Sequence, residues 1–552
     1  MRIDKWPLSI CISELLKDHN TNLNIKICNS DYSIPENAEI TVKNLPQLDI
    51  KRRIDKSKEI QLERQKVKAE VFTPVLVVQK MNDYLFKHID DRINTKMLEI
   101  TMGEGAFLCS RYDHFTGESI PVADRVGVID RKIQASKTIN DIYKSYESTF
   151  GYELQGDSLL LARVNMLFAF CEYVKHKFHR KPTKSEILKV AKIIAKNLWQ
   201  MNGVTKEIPF EKSNSLFHKS VKPKNLKIRF DYAVGNPPYQ EQEGGLNLQY
   251  MPSIYHLFMD SAYSMATRVL LITPSRFLFN MKTTPIEFNQ RMLNDPHFKV
   301  VCHTRNKIFG LAIRGGIAIT YRDLTKSYKP IKVYIQNPNL RSIYKKCKDF
   351  AKKDSFTNLI YQQLRYTNKI KKYGLTDNRV GTGHFSKSWF HDSKRKNDIR
   401  VFGLYKLKRT YKYIDESLID KTSEGFYNWK TVLARTNGHD GTIGEKFSMP
   451  EVLPPETGFT NTYFGYGKFK TKYEAVSCAK FLRTKFCRCL LGVLKCTPNI
   501  AHDSFLYVPN QDFTKKSDIN WDLSIPEIDN QLCKKYKLSK SDIEFINSLE
   551  DM

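Results

Sequence analysis

The sequence predicts an α/β fold: an open, mostly parallel sheet with helices on both faces, followed by a smaller α+β region. Three observations predict it. Short apolar strands alternate with helical stretches over roughly 95–325, the alternation that builds a parallel sheet from βαβ units. A Gly-x-Gly turn, Gly103-Glu104-Gly105, follows directly on an apolar strand. From about residue 330 the rhythm gives way to polar, basic and aromatic sequence with short strands and Gly-rich turns. The divisions read 1–60 for an N-terminal lead-in segment, 61–330 for the sheet domain, and 331–552 for the α+β domain with its helical tail.

Composition narrows the class of function. The chain has 552 residues, 41% of them apolar, enough to bury real cores. No apolar run reaches the roughly 18 residues of a membrane span. The start, MRIDKWPLSICISELLKD, breaks its apolar residues with charges and lacks a signal-peptide core. The expected location is the cytoplasm, with no membrane partner. The 11 cysteines are scattered and read as buried reduced thiols. The tightest set, Cys478, Cys487, Cys489 and Cys496, has no CxxC spacing, so helix packing outweighs a zinc site and no metal is expected. Lys plus Arg number 89 against 59 Asp plus Glu, a net charge of +30 with pI near 9.5. This excess runs through the whole chain, among 28 Tyr and 32 Phe. A lysine-rich, AT-biased genome raises such a count, but a folded chain this basic suits a polyanion, foremost nucleic acid.

Along the chain, residues 1–50 show weak periodicity, and 51–70 form a charged helix with a solvated face suited to phosphate contact. In Val71-Phe72-Thr73-Pro74, Thr73 reads as an N-cap and Pro74 as the first helical position. The next strand ends at Glu99 and enters the glycine turn, where Gly103 and Gly105 let backbone approach a ligand. Leu108 stands where a dinucleotide fingerprint needs a third glycine, and Glu99 suits a cationic or hydroxylated ligand. RVGVID, 125–130, reads as a strand, followed by a polar helix to about 148. A strand ending in Glu153 and a helix over 157–174 follow. An acid at the end of the second strand of such a sheet binds a ribose diol; Glu153 is the first candidate and Asp130 the second. A helix over 183–199 leads to Gln200-Met201-Asn202-Gly203. After 230 come a strand, a helix over 250–266, a strand at Val269–Pro274, and two strands within 298–325 flanking Phe309-Gly310. Residues 331–400 read as linker or exposed loop, 472–491 as one helix, and Ser539 to Asp542 as the capping box of a terminal helix.

Asp231 to Gly235 is a short apolar strand that runs into Asn236-Pro237-Pro238-Tyr239. Two prolines fix φ near about −65° and donate no hydrogen bond, so the carbonyls of this turn are held ready to accept. Asn236 adds an amide oxygen and Tyr239 a flat face. A planar NH2-bearing group fits such a turn, and the exocyclic amine of adenine is one.

Taken in order, these motifs resemble the adenine-N6 DNA methyltransferases of restriction–modification systems, in particular the Eco57I-like modification methylases. The resemblance runs from about residue 60 to the end. It rests on EVFTP (70–74), LEITMGEGAFL (98–108), GYELQGDSLLLARVNML (151–167), NPPYQ (236–240) and IPEIDNQLCKKYKLS (525–539), in an order similar to the γ arrangement. It implies a Rossmann-like methyltransferase domain dependent on S-adenosyl-L-methionine and a C-terminal target-recognition domain. The implied activity is methylation of a flipped-out adenine in double-stranded DNA, protecting host DNA from a separate cognate restriction endonuclease. Thr73 and Pro74 would lie near the methionine end of the cofactor, Glu99, Gly103 and Gly105 would shape its pocket, and Glu153 would bind its ribose. Asn236, Pro237, Pro238 and Tyr239 would form the catalytic turn. One departure stands out: Asn202 occupies a position where similar sequences carry Asp against the cofactor's adenine. Its carbonyl can still accept but brings no charge, and Asp157 is the other candidate. The rival readings are a bifunctional enzyme with a fused nuclease, for which the roughly 70 preceding residues are too few, and methyltransferases that use the same turn on RNA or a protein glutamine. N4-cytosine enzymes more often carry Ser at the Asn236 position.

Overall fold

The computed structural model describes residues 3–28, 32, 34–35, 37–68, 73–208, 228–240, 253–281, 283–304, 315–436, 443–495 and 498–552. They form two compact units, Met1–Phe277 with Met281–Lys332, and Leu278–Asn280 with Val333–Met552.

The first unit is built on seven strands: β1 Met97–Glu99, β2 Thr149–Glu153, β3 Leu198–Gln200, β4 Phe230–Gly235, β5 Ala266–Pro274, β6 Phe298–Thr304 and β7 Ile317–Asp323. Their spatial order is 3-2-1-4-5-7-6. Strands 1 to 5 are parallel, and β7 runs antiparallel to both β5 and β6. This is a doubly wound, Rossmann-like sheet. Helices cover both faces, so its central strands are buried runs; in β4 every residue but Asp231 is buried. Chain order reverses at β1, and a crevice opens beyond the carboxyl ends of β1 and β4.

Eight helices of this unit matter below: α1 Leu8–Leu16, α2 Lys58–Lys68, α3 Val75–Phe86, α4 Val128–Ala135, α5 Ile139–Glu147, α6 Gly156–Phe178, α7 Lys184–Asn197 and α8 Tyr255–Met265. Apart from a few positions near its C-terminal end, α6 is buried all round, as a helix with packing partners on every side must be. Its Arg163 guanidinium donates to the carbonyls of Leu15, Lys17, Ala195 and Leu198, capping the ends of α1 and α7 together. The lead-in segment belongs to this core: Leu8, Ile12, Leu15, Ile25, Ile40 and Leu48 share one apolar cluster with α6 and β1.

Several local expectations are corrected. Val128 to Asp130 is helix, because the Asp130 carboxylate accepts from the Gly127 and Ser110 N–H groups at 3.0 and 2.8 Å and so caps α4. The helix expected to reach residue 199 stops at Asn197, and Leu198–Gln200 becomes the third strand. In α2, exposed at Lys58, Glu59 and Ile60, Arg64 is buried. Glu70, Val71, Phe72, residues 250–252, Phe309, Gly310 and Cys496 lie outside the described residues.

The second unit has its own cores. β8 Asp398–Tyr405 and β9 Lys408–Asp415 form a hairpin, joined by β12 Thr457–Phe459 running parallel to β8. A second sheet sets β10 Trp429–Ala434 between β11 Glu451–Leu453 and β13 Tyr463–Phe469, with the short strand Ile360–Tyr361 beyond β13. Residues 331–400 are not a linker. They hold α10 Pro338–Lys353, capped by Asn337, and Trp389 and Phe390 are buried. The expected helix over 472–491 is two, α11 Lys472–Arg483 and α12 Lys485–Leu491, because Thr484 leaves helical geometry and its hydroxyl caps the second. Cys478, Cys487 and Cys489 are fully buried in a core with Phe481, Phe505 and Trp521, and burial pushes their thiols up. The tail helix α14 Lys540–Asn547 is capped by Ser539 and Asp542 as expected. Among the described residues no helix is long and apolar enough to cross a membrane.

Candidate active site

The crevice at the carboxyl ends of β1, β2, β3 and β4 is a cleft with about 990 Å³ of empty space, open solvent at its mouth included. Each strand delivers residues to it. β1 runs out through Glu99 into the glycine turn, where Gly103 and Gly105 have φ of 54° and 84°, a region that side chains with a Cβ enter only at a cost. A Cβ on Gly103 would meet nothing within 4 Å, while one on Gly105 would touch Ala162 of α6 at 3.4 Å. Gly103 therefore borders open space, and Gly105 lets α6 pack closely.

Glu99 is buried, and its two carboxylate oxygens accept from the Phe107 and Leu108 N–H groups at 3.4 and 3.2 Å. Burial drives its carboxyl well above the usual range against those two bonds, and nearby Glu153 adds to the rise. Its work in this state is to hold the glycine turn. Glu153, at the end of β2, accepts from Gly103 N–H and Gln155 N–H, both at 2.8 Å, so the ends of β1 and β2 are tied across the cleft. Asp130, the second candidate for that role, is fully buried at the cap of α4 and does not line the cleft.

Asn202 follows β3 and lines the cleft. Its side-chain oxygen accepts from the Val204 and Thr205 N–H groups at 2.8 and 3.1 Å, closing an Asx turn that Asp would close equally well. Asp157 is turned away. Tyr32 Oη and Lys56 Nζ donate to it at 2.7 and 3.1 Å, and Arg64 pairs with it. Burial opposes its ionisation, but Arg64 and Lys56 outweigh burial and hold it at about 2.

β4 delivers the Asn-Pro-Pro-Tyr turn. Asn236 Nδ2 donates to Thr73 Oγ1 at 3.2 Å, and Thr101 Oγ1 donates to the Asn236 carbonyl at 3.3 Å. Thr73 was expected to cap α3; instead Pro74 takes the N-cap position without a side-chain bond, and the Thr73 hydroxyl is turned toward Asn236. Among the described residues nothing donates to the Pro237 carbonyl. The Tyr239 hydroxyl is buried without a partner among the described residues, and burial raises it.

Of the expected site residues, Thr73, Glu99, Gly103, Glu153, Asn202, Asn236 and Pro238 line the cleft, while Pro74, Gly105, Pro237 and Tyr239 stand just behind or beside it. Sequence reasoning missed Tyr152, Met201 and Phe258, which supply apolar wall, and His114, kept neutral by burial at about 4. Tyr152 and Met201 were findable as neighbours of Glu153 and Asn202; His114 sits in an irregular loop with no periodic signal. Among the described residues the lining holds three glutamates, Glu99, Glu104 and Glu153, and no lysine or arginine, in a chain of net charge +30.

Strand order, glycine turn and proline turn meet in one cleft, and the stretch that supplies β2, β3, β4 and β5 has a known likeness. Residues 147–309 match the Eco57I restriction-modification methylase family. The matched segment thus contains Glu153, Asn202 and the whole Asn-Pro-Pro-Tyr turn, while Thr73 and the glycine turn precede it. Solved structures similar to the chain include the methyltransferase subunit of a type I restriction-modification system from Streptococcus thermophilus, 14% identical, over 49% of this chain and 48% of that one, at a TM-score of 0.28. The Type IIL restriction-modification enzyme MmeI in complex with DNA is 11% identical over 93% of this chain and 78% of that one, at 0.38. The ATP-dependent Type ISP enzyme LlaBIII bound to DNA is 11% identical over 78% and 38%, at 0.40. The chain thus spans about half the length of the type I subunit it matches. No curated protein matches it.

Proposed function

We propose that the protein is a site-specific DNA adenine-N6 methyltransferase that uses S-adenosyl-L-methionine and modifies an adenine flipped out of duplex DNA. The observation that carries this reading is the Asn236–Tyr239 turn at the end of β4, opening onto the same cleft as the glycine turn of β1 and Glu153 of β2. The cleft fits the cofactor in charge as well as shape. Its wall is acidic and apolar, Gly103 leaves room where a Cβ would stand, and its volume suits a nucleoside-sized ligand. Glu153 would exchange its bond to Gly103 N–H for the ribose hydroxyls, and Phe258 and Tyr152 would face the apolar parts. When bound, the sulfonium supplies an activated methyl group.

The chain's own residues do the rest. Adenine N6 is a weak nucleophile because its lone pair is delocalised into the ring. Extrusion from the duplex costs a few kcal/mol, and stacking on Tyr239 returns about 1–3 kcal/mol. The Pro237 carbonyl, fixed by two proline rings, accepts one N6 proton, and the Asn236 side-chain oxygen accepts the other. Thr73 accepts from Nδ2 and so sets which way the Asn236 amide faces. As N6 becomes positive, these fixed dipoles stabilise that charge more than they stabilise the ground state. The basic second unit would contact DNA and read the target, and a separate restriction endonuclease would be the biological counterpart.

The test is methylation-sensitive long-read sequencing of DNA from a host expressing the chain, with Asn236→Ala as control. The expected result is N6-methyladenine at one recurring motif, reduced by orders of magnitude in Asn236→Ala while purified variant still binds DNA. Unmodified DNA, methylation at cytosine N4, or near-normal turnover in Asn236→Ala would each overturn the reading.

A further inference from the structure

Leu407 is 95% exposed, more than any other exposed large hydrophobic residue among those described; Leu76 follows at 66%. It stands at the tip of the β8–β9 hairpin, where Tyr405 pairs with Lys408 and only Lys406 and Leu407 make the turn. Both turn residues have positive φ, 49° and 64°. That is the backbone of a type I′ turn, for which Asn-Gly is the favoured pair. A bulky apolar residue here is unfavourable twice, in backbone conformation and in exposure to water, and folding gains nothing from it. Such an outlier points to a role outside the fold.

Its surroundings say what kind of role. Lys406, Lys408 and Arg409 are all exposed beside it. Among the described residues, only Arg409 has a carboxylate near, Glu451 at 3.8 Å, and Lys406 meets only the ring of Tyr405 at 5.6 Å. The hairpin beneath is stiff: its strands pair along their full length, β12 lies against β8, and Ile399, Val401 and Ile414 anchor it in a core. The tip is thus one apolar wedge flanked by three cations on a rigid support. A base step in duplex DNA is the complementary surface, an apolar slot between stacked pairs with phosphates on either side.

We propose that the Lys406-Leu407 tip is a DNA wedge: Leu407 enters between adjacent base pairs while Lys406, Lys408 and Arg409 neutralise the flanking phosphates. This rests on the reading of the protein as a DNA methyltransferase and adds to it a second point of duplex distortion, on the second unit. The occupant is duplex DNA, because three cations around one leucine match a polyanion with apolar slots and mismatch an uncharged protein surface.

The experiment uses the full chain and a duplex carrying the motif found by methylation sequencing, with 2-aminopurine placed at successive positions. In the wild type, fluorescence should rise at the target adenine and at one further step. Leu407→Ala should lose the second rise, keep the first, and bind tenfold or more weakly; Leu407→Phe should retain both rises. A double variant, Lys406→Asn with Leu407→Gly, relaxes the turn while removing the wedge and one cation, so it should melt no lower than wild type yet bind more weakly than Leu407→Ala and lack the second rise. Wild-type affinity and fluorescence in Leu407→Ala would remove the wedge alone and leave the methyltransferase reading standing. A change of oligomeric state in Leu407→Ala, read by sedimentation, would make the tip a protein contact and overturn the proposal. A wild-type chain that binds no duplex would take both readings down together.

Discussion

At the scale of single residues, the cleft turns on two hydroxyls with opposite fates. The Thr73 hydroxyl accepts from the Asn236 amide at 3.2 Å, so it acts through Asn236 and positions it. Thr73→Val should keep the fold and cofactor affinity but slow methylation about fivefold, the loss of one hydrogen bond near 1 kcal/mol. Thr73→Ser should restore the rate; a rate unchanged in Thr73→Val would show that the bond does not orient the amide. The Tyr239 hydroxyl, by contrast, is buried with no partner among the described residues. Tyr239→Phe should therefore be near neutral for single-turnover methylation and no less stable, while Tyr239→Ala should lose most activity because the stacking face goes. Equal losses in both variants would contradict a stacking role. Asn202 shows how much a residue can hide: its side-chain oxygen closes an Asx turn to Val204 and Thr205, a local role that its place in a resembling motif could not reveal.

At the scale of elements, α6 depends on a charge cluster drawn from far along the chain. Asp157 in its first turn is held by Arg64 of α2, by Lys56 and by Tyr32. Arg64 and Lys56, working against burial, hold its carboxyl at about 2, below its ordinary 3.8. A depressed carboxyl adds stability that is present above the unfolded value and lost as pH falls through the folded one. Asp157→Asn should thus cost on the order of 3 kcal/mol at neutral pH, since the buried cations Arg64 and Lys56 lose the carboxylate that faces them. The gap between wild type and variant should be complete above pH about 4 and close as pH falls toward 2, read from denaturant melts across that range. A gap independent of pH would mean that the charge contributes nothing. The same elements show where sequence was readable. β1, β2 and β4 were legible because buried parallel strands are continuous apolar runs ending in glycine or acid. Val128–Ala135 was not, because a helix start that depends on Asp130 reaching back to Gly127 and Ser110 looks, residue by residue, like a β-branched strand. Leu198–Gln200 was hidden by joining directly to the helix before it, and Thr484 by interrupting apolar periodicity without a proline or glycine to mark the break.

At the scale of the whole molecule, charge is distributed unevenly with respect to chemistry. Among the described residues no lysine or arginine lines the cleft, in a chain of net +30. The cationic excess therefore serves other surfaces, and if it contacts phosphates, DNA affinity must fall steeply with salt. Six or more phosphate contacts should lower affinity about a thousandfold or more between 50 and 200 mM salt, measured by anisotropy on a duplex of fixed length. A flat salt dependence would mean that the positive charge is not used on DNA. The compact units part between Lys332 and Val333, beside the change of rhythm that was visible at about 330. The extent of order beyond it was not, because α10 and the buried Trp389 and Phe390 lie in sequence whose lysine content suggests solvent.

Arg163 has a consequence for the order in which the molecule can be completed. The carbonyls that end α1 are capped by a guanidinium 148 and 146 residues further along, and the same side chain needs Ala195 and Leu198 to fill its remaining donors. During synthesis α1 stays without its cap until α6, five helices later, has emerged. The earlier segment is finished only after the later one, and a nascent chain halted before Ala195 and Leu198 holds an arginine still seeking those acceptors.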